Sequence, residues 1–322
     1  MSLEIIQPGL LTTVQDAGRV GFQDQGIVVG GVMDVYSYRL ANYLAQNFSD
    51  EAVLDISMLG PTIRFTEDHL VAVTGSDLAP RIDGERISLW KPVRVKAQSI
   101  LSFESLGTGR YCYLAVQGGI KVPRVLGSYS TYVKAGLGGF EGRALLAHDV
   151  LQTNEVRRPV PDAYGEAKWR MYFAHFQDFE ENPVVRVVKG PEWDLVPGNH
   201  RIFEEEFVVT GQSDRMGYKL QSFDVSFPHA HEIVSSAVTF GTIQVPPDGR
   251  PIVLMADRQT TGGYPRIGNV ISVDLPKFAH VLPGKKVRFK EVRPGEAQEL
   301  LLKHEDELLR IKRGLQVKGR GL

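Results

Sequence analysis

The chain has 322 residues, of which 43% are hydrophobic and 23% are charged, and its formal net charge is −1. This length is enough for two domains of ordinary size, and the near-zero charge argues against a general polyanion partner. The single cysteine, Cys112, excludes disulfides within the chain and disfavours a cysteine-based metal site. No apolar run approaches the roughly 20 residues of a membrane-spanning helix, and no signal peptide is apparent. We therefore expect a globular cytoplasmic protein.

Short apolar stretches rich in Val, Ile and aromatic residues recur along the chain and predict strands. The predicted strands are Leu3–Ile6, Val53–Ser57, Leu70–Thr74, Ile87–Leu89, Val93–Lys96, Ile100–Phe103 and Tyr111–Val116. Asp83-Gly84 predicts the turn of a β-hairpin. Strands that recur this often indicate a mainly β protein built from barrels or sandwiches, not from alternating β-α units.

Helices are predicted at three places. The first begins after Asp34, a candidate N-cap, and continues through Asn47, because leucine and alanine pairs recur there at i,i+4 spacing. A short second helix is predicted after Asp274, a candidate N-cap, with a proline in its first turn. The longest helix is expected from Glu296 to Arg313, where apolar residues share one face.

The chain also divides into two parts. Residues 152–183 mix prolines, charges and aromatics without a regular period, so we expect an N-terminal domain over residues 1–160, a linker or packing segment over 161–183 and a C-terminal domain over 184–322. Leu70–Asp77 resembles Phe207–Asp214, and Leu114–Arg124 resembles Met255–Arg266 at nearly the same shift. These two matches favour a duplicated domain.

The most polar stretch lies between two apolar runs, from Ile252 to Asp274. It contains Asp257, Arg258, Gln259, two threonines, Gly262-Gly263 and Tyr264-Pro265-Arg266. We expect a Gly-Pro hairpin clamped between two strands, a place where proteins commonly carry binding and catalytic groups. The alternative is that the glycines and proline only shape a tight turn and that Asp257–Arg258 is a surface pair.

Three other polar clusters are candidate sites: Gln15–Gln23, Gly30–Asp34 and Gln212–Tyr218. Backbone amides of the second could receive a carboxylate at a helix start, but Asp34 would repel it, which favours capping for Asp34. His229 and His231 would point the same way on a strand, yet a third metal ligand at fixed spacing is missing. No metal is therefore expected, and His231-Glu232 is better interpreted as a hydrogen-bonding pair that lines a pocket.

Several of these motifs occur together in one known family. They include Thr13–Gln23, Gly60–Thr62, Thr74–Asp77, Ser213–Tyr218, Gly241–Pro246 and Gln259–Arg266. From about Leu3 to about Phe289 the sequence resembles the KipA family. Its members are also described as allophanate hydrolase subunit 2-like, as biotin-dependent carboxyltransferase-like, or as the C subunit of 5-oxoprolinase.

The resemblance implies two tandem cyclophilin-like β-barrel domains with a few short helices. It implies that a KipI-like B subunit is the partner and that, with a LamB/YcsF-like A subunit, the set forms an ATP-dependent 5-oxoprolinase that converts 5-oxoproline to glutamate. ATP is then the cofactor of the complex, and the chain alone is expected to be inactive. One alternative is the carboxyltransferase component of a biotin-dependent urea-type carboxylase. Another is an interaction module that regulates a sporulation histidine kinase through a KipI-like partner.

For lactam opening, the predicted catalytic residues are Asp257, Arg258 and Gln259. An arginine, either Arg258 or one of the others below, could hold the substrate carboxylate in a bidentate clamp. Gln259, Tyr264 or loop N–H groups could stabilise an amide oxygen that gains negative charge, and Asp257 or Asp34 could position the ring N–H or act as a base. The predicted substrate-binding residues are Asp34, Arg215, Met216, His231, Glu232, Gln244, Tyr264 and Arg266. Carboxyl transfer would use much the same groups, so the sequence does not separate the two reactions.

Overall fold

The computed structural model describes residues 2–47, 50–104, 107–155, 165–166, 180, 182–222 and 233–318. Strands dominate this part of the chain and confirm the mainly β class. Contacts group the chain into two compact units, Met1–Arg19 with Asp34–Asp178 and Glu307–Leu322, and Val20–Met33 with Phe179–Asp306. The boundary between the two units at residues 178/179 lies inside the expected 161–183 segment. The sequence did not predict that residues 20–33 group with the second unit and residues 307–322 with the first.

The first unit contains two six-stranded sheets. Its strands are β1 (Ser2–Gln7), β2 (Leu11–Gln15), β3 (Val53–Ser57), β4 (Thr62–Phe65), β5 (His69–Gly75), β6 (Pro80–Ile82), β7 (Glu85–Arg86), β8 (Pro92–Val95), β9 (Ile100–Phe103), β10 (Tyr111–Val116), β11 (Val150–Gln152) and β12 (Gly165–Glu166). One sheet has the order β11-β1-β4-β9-β6-β7 and the other β12-β8-β5-β10-β3-β2. Helix α1 (Val35–Leu44) belongs to the same unit.

The two sheets share one hydrophobic core. Buried and half-buried residues alternate along β1, whereas every residue of β10 is buried. Side chains of both sheets, such as Phe65 of β4 and Leu114 of β10, belong to a single cluster of buried residues. The period of two in the sequence therefore marks a strand buried on one face, and the continuous apolar run marks a strand buried on both.

The second unit contains a closed seven-stranded barrel. Its strands are β13 (Val184–Lys189), β14 (Glu206–Val209), β15 (Gly217–Gln221), β17 (Thr242–Gln244), β18 (Ile252–Leu254), β20 (Arg266–Val270) and β21 (Lys286–Glu291), in the order β13-β20-β17-β18-β15-β14-β21. A separate ribbon pairs β16 (Ser236–Ala237) with β19 (Thr261–Gly262). Helix α2 (Leu275–Ala279) follows β20, and α3 (Pro294–Lys318) belongs to this unit up to Asp306. Within the described ranges, every helix is too short or too polar to cross a membrane.

Most of the local predictions are confirmed. Val53–Ser57, Ile100–Phe103 and Tyr111–Val116 form strands with the predicted bounds. Asp83-Gly84 turns between β6 and β7 with positive φ at both residues, as a two-residue hairpin loop of this type requires.

Two local predictions are wrong. The strand at Ile87–Leu89 is not observed, because β7 ends at Arg86 and the chain turns away before Trp90, which adopts a positive φ. Asp274 precedes α2 but does not cap it with its side chain. Its carboxylate instead accepts hydrogen bonds from Arg186 Nε at 2.9 Å and Nη2 at 2.6 Å.

The polar stretch is a crossover and not a hairpin. It connects β18 to β20, and β17 lies between these two strands in the barrel. The two segments that repeat in sequence do not occupy equivalent strands in the two units. In the first unit the repeated segments lie on β5 and β10, which are neighbours in the sheet. In the second unit they lie on β14 and directly after β18, and β15 separates these two strands.

Candidate functional site

A buried ion pair stands at the start of the crossover. The Asp257 carboxylate accepts hydrogen bonds from Arg215 Nε at 3.0 Å and from Arg215 Nη2 at 3.2 Å. The Arg215 and Asp257 side chains are only 11% and 10% exposed. The surface-pair alternative is therefore excluded, and Asp257 is held in one orientation by a bidentate partner.

The Gly30-Gly31 segment approaches this ion pair. Arg215 Nη2 donates a hydrogen bond to the carbonyl oxygen of Gly31, and a Cβ on Gly30 would lie 3.6 Å from Asp257 Oδ1. Both glycines have positive φ, 65° and 90°, which side chains with a Cβ rarely adopt. This part of the Gly30–Asp34 motif therefore lies beside the ion pair, and binding of an anion by its backbone amides stays a prediction.

Asp34 has a different role. Its carboxylate accepts hydrogen bonds from the backbone amides of Tyr36 and Ser37 at 3.0 and 2.9 Å, and from the Ser37 hydroxyl. It is 1% exposed and belongs to the first unit, whereas Gly30 and Gly31 group with the second. The structure therefore makes Asp34 the N-cap of α1, the role that the sequence favoured for it, and substrate binding by Asp34 stays a prediction.

Arg258 is buried without a counter-ion in the described part of the chain. It is 8% exposed, its Nε has no acceptor, and Nη1 makes only two long contacts of 3.4 Å, to the carbonyl oxygens of Met255 and Ala256. The guanidinium lies 5.8 Å from the centre of the Phe240 ring. Burial lowers the pKa of Arg258 to about 10, and Asp257 opposes this effect. Because buried polar groups normally have partners, these unused donors are suited to an anion or to an oxygen that gains negative charge.

Arg266 is already paired within the fold. Its Nε and Nη2 donate to the two carboxylate oxygens of Glu192 at 2.7 and 2.6 Å, and Nη1 donates to the carbonyl oxygen of Ala237 at 2.8 Å. The hydrogen bonds raise the pKa of Arg266 and lower that of Glu192. Arg266 therefore ties β20 to the β16 ribbon, and a role for its guanidinium as a substrate clamp stays a prediction.

Gln244 and Tyr264 lie at the other end of the crossover. Gln244 is buried and donates a hydrogen bond from Nε2 to the Tyr264 carbonyl oxygen at 3.1 Å. Gly262 lies so close that an added Cβ would be 2.5 Å from Gln244 Nε2. Tyr264 lines a cavity of about 480 Å³ together with Thr210, Gly211, Gln212, Lys219, Leu220, Gln221, Pro246, Asp248, Arg250 and Ile252. Its volume suits a small molecule, but neither Asp257 nor Arg258 lines it.

Four predicted site residues remain: Met216, Gln259, His231 and Glu232. Met216 is half-buried beside Arg215, and its carbonyl oxygen accepts a hydrogen bond from the Met255 amide at 2.9 Å. Gln259 is half-buried directly after Arg258. His231 and Glu232 lie outside the described residues. Phe240 is a neighbour that the sequence analysis missed, because its position in the chain gives no sign that it packs near Arg258.

The Gln15–Gln23 cluster has a structural role in its first half. The Asp16 carboxylate accepts hydrogen bonds from the hydroxyls of Ser128 and Ser130 at 2.6 and 2.5 Å. Arg19 is fully buried and donates to the carbonyl oxygens of Val125 and Ser130 at 3.1 and 2.7 Å. These groups hold the segment around residues 125–131 against β2, so the motif supports the first unit.

Comparison with known proteins identifies the family. The model of the carboxyltransferase domain, subdomain A and B, matches residues 25–291. The chain belongs to this family. It is 34% identical to the 5-oxoprolinase C subunit of Haemophilus influenzae over 97% of this chain and 98% of that protein, and 35% identical to the 5-oxoprolinase C subunit of Escherichia coli over 92% and 93%. These similarities confirm the family resemblance given by the motifs.

A solved structure with the same architecture is that of the K. lactis urea amidolyase. It superposes with a TM-score of 0.87 at 27% identity, over 96% of this chain but only 20% of that chain. This chain therefore spans nearly the whole of the 5-oxoprolinase subunits and about a fifth of the urea amidolyase.

Proposed function

We propose that this chain is the C subunit of a 5-oxoprolinase, which opens the lactam 5-oxoproline to glutamate together with KipI-like B and LamB/YcsF-like A subunits. The observation that carries the proposal is the similarity to the 5-oxoprolinase C subunit over 97% of this chain and 98% of the relative. The complex would work in the cytoplasm, where ATP is available.

The chemistry of the Asp257 region is compatible with lactam binding. A carboxylate has room for further hydrogen bonds beside the two from Arg215, so Asp257 can accept one from the ring N–H of the substrate. Arg258 has donors without acceptors in the described chain, and these can meet a negatively charged group of the substrate. The fixed ion pair would keep both groups in place before the substrate arrives.

ATP would supply the phosphoryl group that activates the lactam oxygen. We assign ATP use to the complex, since the sequence contains no GxxxxGK[ST] phosphate loop; a nest of backbone amides without that motif is the alternative on this chain. The same reasoning leads us to expect little activity from this chain in isolation.

The proposal is tested with the reconstituted complex of this chain and its cognate A and B subunits. We expect ATP-dependent formation of glutamate from 5-oxoproline, and no turnover when this chain is omitted. Asp257→Asn should reduce the rate strongly, while Arg288→Gln, which changes an exposed arginine of β21, serves as the control. A complete complex that does not cleave 5-oxoproline would contradict the proposal.

Carboxyl transfer from biotin to a urea-like acceptor is the second candidate. It is supported by the description of the matching family and by the TM-score of 0.87 to urea amidolyase. The donors of Arg258 could then face the uncharged ureido oxygen of biotin, whose charge grows during transfer. Carboxylation of urea by a mixture containing carboxybiotin carrier protein, with no cleavage of 5-oxoproline, would favour this candidate. Regulation of a histidine kinase stays a prediction.

A further inference from the structure

The three arginines that the sequence offered as carboxylate clamps have different partners. Arg215 is bound to the Asp257 carboxylate, and Arg266 is bound to both oxygens of Glu192. Arg258 forms no ion pair with any carboxylate in the described residues, and its Nε has no hydrogen-bond acceptor. Within the described residues, two of these arginines are therefore paired with a carboxylate, and the buried Arg258 is not.

We propose that Arg258 binds the carboxylate of the substrate, so that this site selects cyclic amides that carry a carboxylate over those that do not. The inference rests on the proposed function, because it names the substrate group that the same site recognises.

Burial explains why the missing partner should be an anion. Arg258 is only 8% exposed and has therefore lost most of its hydration, and an uncompensated buried charge is strongly unfavourable. At neutral pH the group remains protonated, since its pKa is about 10. A ligand carboxylate can accept two parallel hydrogen bonds from the planar fork, which a single neutral oxygen cannot do.

The neighbouring charges also favour an incoming carboxylate. Asp257 is adjacent in sequence and would repel an anion, but its charge is balanced by the two hydrogen bonds from Arg215. Arg215, Asp257 and Arg258 together carry one net positive charge. The Phe240 ring at 5.8 Å offers an apolar wall, beside which an ion pair is weakly screened by solvent.

Two probes that differ only at the carboxylate test the inference: 5-oxoproline and its neutral amide, 5-oxoprolinamide. Their binding to the assembled complex is measured by isothermal titration calorimetry, for the unchanged chain and for Arg258→Gln, Arg258→Lys and the control Arg288→Gln. We expect Arg258→Gln to weaken binding of 5-oxoproline about 100-fold, the effect of losing a charge-assisted pair of hydrogen bonds. Its affinity for the amide should be nearly unchanged, and Arg258→Lys should retain part of the selectivity.

The outcomes separate this inference from the proposed function. An equal loss of affinity for both probes in Arg258→Gln would place the residue at the lactam oxygen and overturn the inference. Unchanged affinity for 5-oxoproline in Arg258→Gln would also overturn it, and so would an unmodified complex that does not prefer 5-oxoproline to the amide. A loss of affinity for 5-oxoproline alone supports the inference, even when the complex does not turn over 5-oxoproline and the proposed function is contradicted. If Arg258→Gln does not fold, the acid-to-amide preference of Arg258→Lys decides, and an unchanged preference overturns the inference.

Discussion

Arg215 and Asp257 are joined twice. The guanidinium holds the carboxylate through Nε and Nη2, and the Asp257 amide donates a hydrogen bond to the Arg215 carbonyl oxygen at 2.8 Å. Since both side chains are nearly buried, removing one leaves the other as an uncompensated charge.

Asp257→Ala should therefore destabilise the protein as well as inactivate it, by about 3 kcal/mol. Urea denaturation of Asp257→Ala, Arg215→Ala and the double variant measures the effect, and the double variant should lose less than the sum of the singles. Additive losses would show that the pair contributes no coupling energy.

The Arg266–Glu192 ion pair should stabilise the barrel in a pH-dependent way. The hydrogen bond from Arg266 lowers the pKa of Glu192 below its ordinary value of 4.5. The contribution is therefore complete above about pH 4.5 and is lost as pH falls through the lower folded pKa. Glu192→Gln should be less stable than the unchanged chain by about 2 kcal/mol at pH 7, and denaturation curves at decreasing pH should show the difference shrinking. A constant difference would contradict this.

His69 should limit stability in mild acid. It is 1% exposed, and burial lowers its pKa to about 4. The unfolded chain takes up this proton near pH 6.5, so stability falls as pH decreases from about 6.5 to about 4. In His69→Phe, whose ring can pack beside Phe65, that part of the loss should disappear. Parallel stability curves for the two proteins over this range would rule out His69 as the cause.

Arg258→Met should unfold at a temperature no lower than that of the unchanged chain. The substitution removes a buried charge that has no ion-pair partner among the described residues and keeps most of the volume, so the desolvation penalty disappears. Arg266→Met should instead lower the melting temperature because it strands Glu192. Calorimetry on both variants checks this contrast. A clear drop in the melting temperature of Arg258→Met would mean that the residue supports the fold.

Asp34 should be replaceable by another capping residue. Asp34→Ala is expected to destabilise the protein by about 1–2 kcal/mol through loss of the amide hydrogen bonds of Tyr36 and Ser37. Asp34→Ser should recover much of this stability and leave the KM for 5-oxoproline unchanged. A raised KM for 5-oxoproline in a stably folded Asp34→Ser protein would show that Asp34 takes part in substrate binding.

Local predictions succeeded where the signal involves neighbours in sequence. The Asp83-Gly84 turn and the strand Tyr111–Val116 follow from turn chemistry and apolar runs. The sequence predicts a Gly-Pro hairpin where the structure has a crossover. Nothing between Ile252 and Val270 shows that β17 will insert between the flanking strands. Strand order is set by pairing over long distances in the chain.

The sequence by itself determined the mainly β class, the family and the position of the polar stretch, because periodicity and motifs are properties of adjacent residues. Only the tertiary structure decided the role of each charged group. Arg215, Arg258 and Arg266 have the same side chain, and only their surroundings distinguish them. In the described chain, the fold places a carboxylate within hydrogen-bond distance of Arg215 and of Arg266 but not of Arg258.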